Sequence, residues 1–316
     1  MAINSCGSSR VRSPRDALLH VAFGVSLGFL VGSLFFFDGD TDISEHIHLI
    51  EHEKSQENSQ NFNLRCVIIL HKAVSKPEKV LSALEDGYTK RCNETIYFTN
   101  SENLFQRFKK NYTMQFVRSY SSHFYWSFYQ YVLEFSSKVP AKWTFLGDDQ
   151  TYLVVPNLRR ALRNFDSEKA IVMGKIRDTS TSLSWMFPFS NYQKVSTRGG
   201  VVFSNAAIDR LSQCKGFFFA RSSDFALYEC SSQFGAQLVD PFDEDGLRLF
   251  NDLTPKQIIA PESSLFRADP EKSGKCSDYA ISFGQLSEKD MRVLEYGMSL
   301  QVFGRGGLET NETATT

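Results

Sequence analysis

The sequence has no surplus of charge and no glycine-rich phosphate loop, and one long stretch of it has almost nothing to build a core from. Its 35 basic and 36 acidic side chains nearly cancel, so the basic footprint of a nucleic-acid binder is missing and no nucleic-acid partner is expected. No G-x-G-x-x-G follows the first predicted strand, Arg65-Cys-Val-Ile-Ile-Leu70, which argues against a dinucleotide site of the Rossmann kind. Residues 38–63 are dominated by Ser, Gln, Asn and Glu and read as a polar stem rather than as part of a folded domain.

Elsewhere the composition is that of an ordinary globular chain, 42% hydrophobic over 316 residues. One folded domain with appendages is expected. Ala17 to Phe37 is an uncharged run of 21 residues, long enough to cross a bilayer. Arg10, Arg12 and Arg15 precede it, and Asp38, Asp40, Asp42 and Glu45 follow it. This bias sets the N-terminus on the cytosolic side and the remainder in a lumen. A cleaved signal peptide is the alternative, but the run is longer than the usual apolar region of one. The expected plan is a cytosolic tail at 1–16, a membrane signal-anchor at 17–37, the stem at 38–63, a lumenal domain at 64–306 and a polar tail at 307–316. Gly24, Gly28 and Gly32 share one face of the anchor, where two backbones can pack closely, so a homodimer is open.

In an oxidising lumen the cysteines are free to pair. Cys66 with Cys92 and Cys214 with Cys230 each bracket one predicted strand–helix unit, and Cys276 is left over, either buried and free or bonded to another chain. Asn93, Asn111 and Asn311 each open a glycosylation sequon, relevant only in such a compartment.

The folded part is organised around Trp143-Thr-Phe-Leu-Gly-Asp-Asp-Gln-Thr-Tyr-Leu-Val-Val155. An apolar run closing on Gly and Asp reads as a buried strand with a loaded turn, and open α/β sheets set their ligand groups at the carboxyl ends of strands. Adjacent carboxylates there, Asp148 and Asp149, suit a divalent cation shared with a diphosphate. They suit an Asx turn equally well. Upstream, a strand, a helix closing at Gly87 and a second strand at Ile96-Tyr-Phe98 predict a parallel sheet. Phe124, Tyr125, Phe128, Tyr131, Val132 and Phe135 form an aromatic helical stripe read as core. Gly199 and Gly200 permit close approach to a ligand or a neighbouring chain, or simply a tight turn. Asp224 reads as a carboxylate in a first helical turn or as a functional acid.

Taken together, Tyr88-Thr-Lys-Arg-Cys92, Gly147-Asp-Asp-Gln-Thr-Tyr152, Asn157-Leu-Arg159, Gly199-Gly200, Ser223-Asp-Phe-Ala-Leu227 and Cys276-Ser-Asp-Tyr-Ala-Ile-Ser-Phe283 resemble the core 1 β1,3-galactosyltransferase family over about residues 64 to 306. Chain length, the short stem and Asp243-Glu-Asp-Gly-Leu-Arg-Leu-Phe-Asn251 look most like the family's dedicated molecular chaperone. The resemblance implies an α/β fold of GT-A type, a mixed sheet flanked by helices, in a type II protein of the endoplasmic reticulum or Golgi. For an active member it implies an acidic triplet for manganese and UDP, a histidine ligand beyond that turn, and a base in a Glu-Asp pair. Here the third acidic position is Gln150, the last histidine is His123, and Ser223 stands before Asp224. The resemblance therefore implies a degenerate metal site at Asp148, Asp149 and Gln150, with no metal or other cofactor. A galactosyltransferase client is the implied partner. The alternative is an active enzyme using Asp148 and Asp149 for the nucleotide sugar, manganese as cofactor and Asp224 as base. Where the family commonly has two adjacent cysteines, this chain has Lys275-Cys276.

Overall fold

The computed structural model describes residues 24–27, 39–40, 47–48, 62–71, 74, 76–118, 126–180, 192–215, 222–259 and 275–299. The described chain divides into two units. The smaller, Met1–Thr41 with Asp178–Tyr192, contributes a helical turn at 24–27 and a pairing of Gly39 and Asp40 with Ser180 and Thr179. The larger, Asp42–Arg177 with Gln193–Thr316, holds the sheet, both cores and every group discussed below. Among the described residues no helix is long and apolar enough to cross a membrane. Of the expected anchor only 24–27 are described, so Gly28 and Gly32 lie outside, as do most of the stem, Asn311 and the C-terminal tail.

The larger unit is built on a mixed sheet whose strand β1 (Leu64–Leu70) lies near its middle. All seven residues of β1 are buried, and the run is β-branched and apolar on both faces, the pattern of a strand covered on both sides. Its partners are β2 (Glu94–Thr99) and β4 (Trp143–Asp148), both parallel. The first edge is β3 (Met114–Phe116), parallel to β2 and joined to it through α2 (Glu102–Phe108). Beyond β4 come β7 (Val201–Ser204), antiparallel, then β6 (Ile171–Met173) and β8 (Gln237–Val239). The expected mixed α/β sheet is present, consistent with a GT-A-like domain.

Alternation along β1 sorts its side chains into two cores. Cys66, Ile68 and Leu70 face a layer that includes α1 (Pro77–Asp86) and α4 (Val155–Leu162). Val67 and Ile69 face α3 (Trp126–Lys138), α5 (Asn205–Leu211) and α6 (Ser223–Gln233). The expected disulfides Cys66–Cys92 and Cys214–Cys230 both form, and Cys276 is free and half-buried. In α3, Phe128 and Val132 are buried as expected, but Tyr131 is 39% exposed and Tyr129 takes the inward position. Phe124 and Tyr125 lie outside the described residues. Asn93 and Asn111 are exposed, as sequons require.

A smaller sheet joins β5 (Tyr152–Leu153), β10 (Ser282–Phe283) and β9 (Phe250–Asn251). The segment just after the acidic turn is thereby tied to the Cys276–Phe283 motif. Helix α7 (Glu288–Ser299) packs on α1, buries Met291 and Leu294, and is tied to β5 through Glu295. Arg91 donates from both terminal nitrogens to Glu295, at 2.8 and 2.5 Å, and the Tyr152 hydroxyl donates to it at 2.8 Å. Burial alone would raise the Glu295 pKa, but the donors Arg91, Lys90 and Tyr152 outweigh it and pull the value to about 2.

Glu295→Gln is therefore expected to cost roughly 1–3 kcal/mol, the usual worth of hydrogen bonds to a charged group. The folded pKa lies below the ordinary 4.5, so the contribution is fully present above that value and is lost as pH falls toward about 2. Thermal melting of wild type and variant from pH 7 to 2.5 checks this, with the two curves converging at the acid end.

Candidate functional site

The site is made where two parallel strands end side by side. Pairing of Ile69 with Asp148, continued by a hydrogen bond from the Asp149 amide to the Ile69 carbonyl at 3.0 Å, sets the residue after β1 against the turn after β4. That residue is His71. Its amide donates to Asp149 Oδ2 at 3.2 Å, and its Nδ1 makes a short ion-paired contact with Asp149 Oδ1. Its Nε2 lies 3.8 Å from Asp148 Oδ2. Asp148 Oδ1 meanwhile accepts from the Gln150 amide at 2.9 Å and from the Thr151 hydroxyl at 2.6 Å, which is the Asx turn of the sequence reading. The Gln150 residue is exposed.

The charges are mutually dependent. Burial disfavours the His71 imidazolium, yet the bond to Asp149 and the two carboxylate charges outweigh it, so its pKa is raised. The Asp148 carboxyl is also pushed up, first by burial, with His71 opposing. One imidazole and two carboxylates offer ligand atoms all within 4.8 Å of one another. Nitrogen and oxygen donors of this kind suit a divalent transition cation, so the residues present fit such a group, and His71 and Asp148 are the ones that would hold it.

Asp224 does not join this cluster directly. It sits in the first turn of α6, where its Oδ1 accepts from the Thr197 amide at 3.2 Å and the Thr197 hydroxyl at 2.7 Å. Burial raises its pKa against those two donors. Tyr129 bridges the two acidic regions: its hydroxyl pairs with Thr197, and its own pKa, raised mainly by burial, also feels Asp224 and Asp148. Ser223 is buried beside Asp224. Further round, buried Asp252 is paired with Arg177 at 2.6 Å and Lys175 at 3.6 Å. Burial would raise its pKa, but these cations hold it below the usual carboxylate range.

Between the two acids runs the Gly199-Gly200 loop. Gly200 has φ +80, and a Cβ there would come within 2.5 Å of the Phe145 ring; one at Gly199 would come within 2.8 Å of the Asn251 carbonyl. The close approach is therefore to the chain itself. The loop also carries the Arg198 carbonyl to the Thr151 hydroxyl, 3.3 Å away, linking the acidic turn to Thr197 and Asp224.

The Fringe-like family profile matches residues 73–231, half of the chain. This chain belongs to the Fringe-like family. The match runs from just after β1 into α6, so it takes in the acidic turn, the glycine loop and Asp224. Over 171 aligned residues the chain is 28% identical to glycoprotein-N-acetylgalactosamine 3-beta-galactosyltransferase 1 of Xenopus laevis, an overlap that covers 49% of this chain and 44% of that protein. This Fringe-like chain thus spans less than half the length of that relative. A glycosyltransferase-related role follows from the two comparisons together.

His71, Tyr129 and Thr197 are the site residues that sequence reasoning missed. For His71 a signal existed: in a parallel sheet, the residue just beyond one strand's carboxyl end lies beside its neighbour's loaded turn. Gly200→Ala tests the loop that joins the parts of this Fringe-like site. Positive φ and the Phe145 ring both oppose a methyl group, so a loss of roughly 2 kcal/mol or more is expected, read as a lower urea midpoint.

Proposed function

We propose that this chain is a membrane-anchored, non-catalytic member of its family that assists the folding of a homologous galactosyltransferase client in mucin-type O-glycosylation, in the endoplasmic reticulum or Golgi. The observation that carries this reading is the way the acidic turn spends its oxygens on its own chain. Both oxygens of Asp149 are taken by His71, Asp148 Oδ1 is taken by Gln150 and Thr151, and the third position is a neutral amide. Transfer from a nucleotide sugar needs charge to offset the departing diphosphate, which a bound divalent cation supplies. One outward carboxylate oxygen and an uncharged Gln150 are a poor set for that work. Ser223 in place of a glutamate removes a further acid. What remains is the fold, and a folding assistant acts by binding apolar surface that an incompletely folded client exposes.

Asp224 favours a second reading, transfer of galactose from UDP-galactose to O-linked GalNAc. Its carboxylate is held in place by Thr197, and its raised pKa suits a general base that takes a proton from an acceptor hydroxyl.

Deleting the chain is expected to lower the folded yield and activity of the client galactosyltransferase with its transcript unchanged. Both the wild-type chain and Asp224→Asn restore that yield, because assistance removes no proton. Client yield that is indifferent to the deletion contradicts the proposal, and restoration by wild type but not by Asp224→Asn selects the transferase.

A further inference from the structure

We propose that the outer edge of the Pro241–Phe242 strand is a docking site for an extended segment of the galactosyltransferase client, added as one more strand, and that Ile47–His48 of the stem covers this edge when no client is bound. The inference rests on the folding role proposed above and names the surface that would carry it.

The edge is made by the hairpin that follows β8. The Asp243 N–H donates to the Leu247 carbonyl at 2.9 Å, and the Leu249 N–H donates to the Pro241 carbonyl at 3.1 Å. These two bonds bracket the antiparallel bridge between Phe242 and Arg248, so that pair is of the non-hydrogen-bonded kind and the Phe242 N–H and C=O point away from the hairpin. Pro241 has no N–H to offer. The Phe242 main chain is therefore what this strand presents to a neighbour, and such an edge is a template for an extended chain. The hairpin holds the edge in place by itself. Asp243 Oδ1 accepts from the Asp245 and Leu247 amides at 3.0 and 2.7 Å, and Gly246 supplies the positive φ of the turn. The Arg248 guanidinium lies 4.8 Å from the centre of the Phe242 ring while it pairs with buried Asp240.

The segment seated on the edge shows what the edge accepts. Ile47 and His48 pair in parallel with Pro241 and Phe242, within a stem that is otherwise polar. Its aliphatic residues, Ile43, Ile47, Leu49 and Ile50, are gathered around that pairing, so the stem carries there a short stretch with the composition of a core strand. An incompletely folded client exposes strands of the same make-up. In strand addition the main-chain hydrogen bonds supply the affinity, so such a client strand fits where the stem sits. The stem competes from within the same chain, at high effective concentration, and thereby keeps an aggregation-prone edge covered until a client arrives.

The test follows hydrogen exchange of single amides in the full-length protein. Ile47→Pro takes the Ile47 N–H out of the pairing and lies outside both cores; the Phe242 amide is expected to exchange roughly tenfold faster in it than in the wild type. Two probes are then added to Ile47→Pro, a synthetic peptide with the sequence of residues 44–52 and a homologous galactosyltransferase domain diluted from urea. Each should slow the Phe242 amide again, the peptide should compete with the diluted domain, and Ile47→Pro should capture that domain about tenfold more tightly than the wild type, its tethered competitor being gone. In the wild type itself, bound client should speed exchange of the Ile47 amide while Phe242 stays slow, a readout that needs no variant. Fast exchange of Phe242 in the wild type would overturn the proposal, and so would client captured by Ile47→Pro with Phe242 still exchanging fast. Failure of the folding role looks different: the peptide protects Phe242, yet neither form captures the diluted domain, which leaves the edge as a clasp for the stem alone.

Discussion

Everything at the candidate site hangs on the parallel pairing of β1 with β4. The register that sets Ile69 against Asp148 is fixed by burial on both faces of β1, since a one-residue slip would exchange the two sets of core side chains. Because the strands run the same way, they deliver His71 and the Asp148–Asp149 turn to the same edge of the sheet. The turn is then pinned from behind. Thr151 is bonded to the Arg198 carbonyl, Gly200 lies against Phe145, and Thr197 in the same loop takes Asp224.

The same sheet end shows how two adjacent carboxylates are held together. A carboxylate pair at a strand end repels itself unless a cation or hydrogen-bond donors offset the charge. Here the donors come from the chain, namely one imidazole, one hydroxyl and two main-chain amides. Asp252 shows the same solution with Lys175 and Arg177, and Glu295 with Arg91 and Tyr152. Asp149, Asp252 and Glu295 are thus answered by neighbours distant in sequence, whereas Asp148 is answered within its own turn; a buried acid left without such partners would be strongly destabilising.

Much of the fold was legible in the sequence because it is written locally. β1 and β4 are continuous apolar runs, Gly87 closes α1, and each disulfide brackets one unit. The site was legible only in part. Asp148, Asp149 and Asp224 stand out by residue type, but their partners lie far off: His71 is 78 residues from Asp149, and Thr197 is 27 from Asp224. Looking for an imidazole only beyond the acidic turn therefore passed over one supplied from before it. In α3 the stripe was read correctly at Phe128 and Val132 and missed at one position, Tyr131 for Tyr129, because the two tyrosines are alike in composition and only packing chooses between them. The short strands β5, β9 and β10 are two residues each and leave no periodic signal at all.

The proposed folding role requires that the fold and an oriented acidic turn persist without group transfer. Its most direct test is to incubate the full-length protein with radiolabelled UDP-galactose, saturating Mn2+ and a GalNAc-bearing peptide, and to count label on the peptide. If the proposed role holds, no transfer above a protein-free blank is expected. Transfer that depends on the metal and disappears in Asp224→Asn would contradict it.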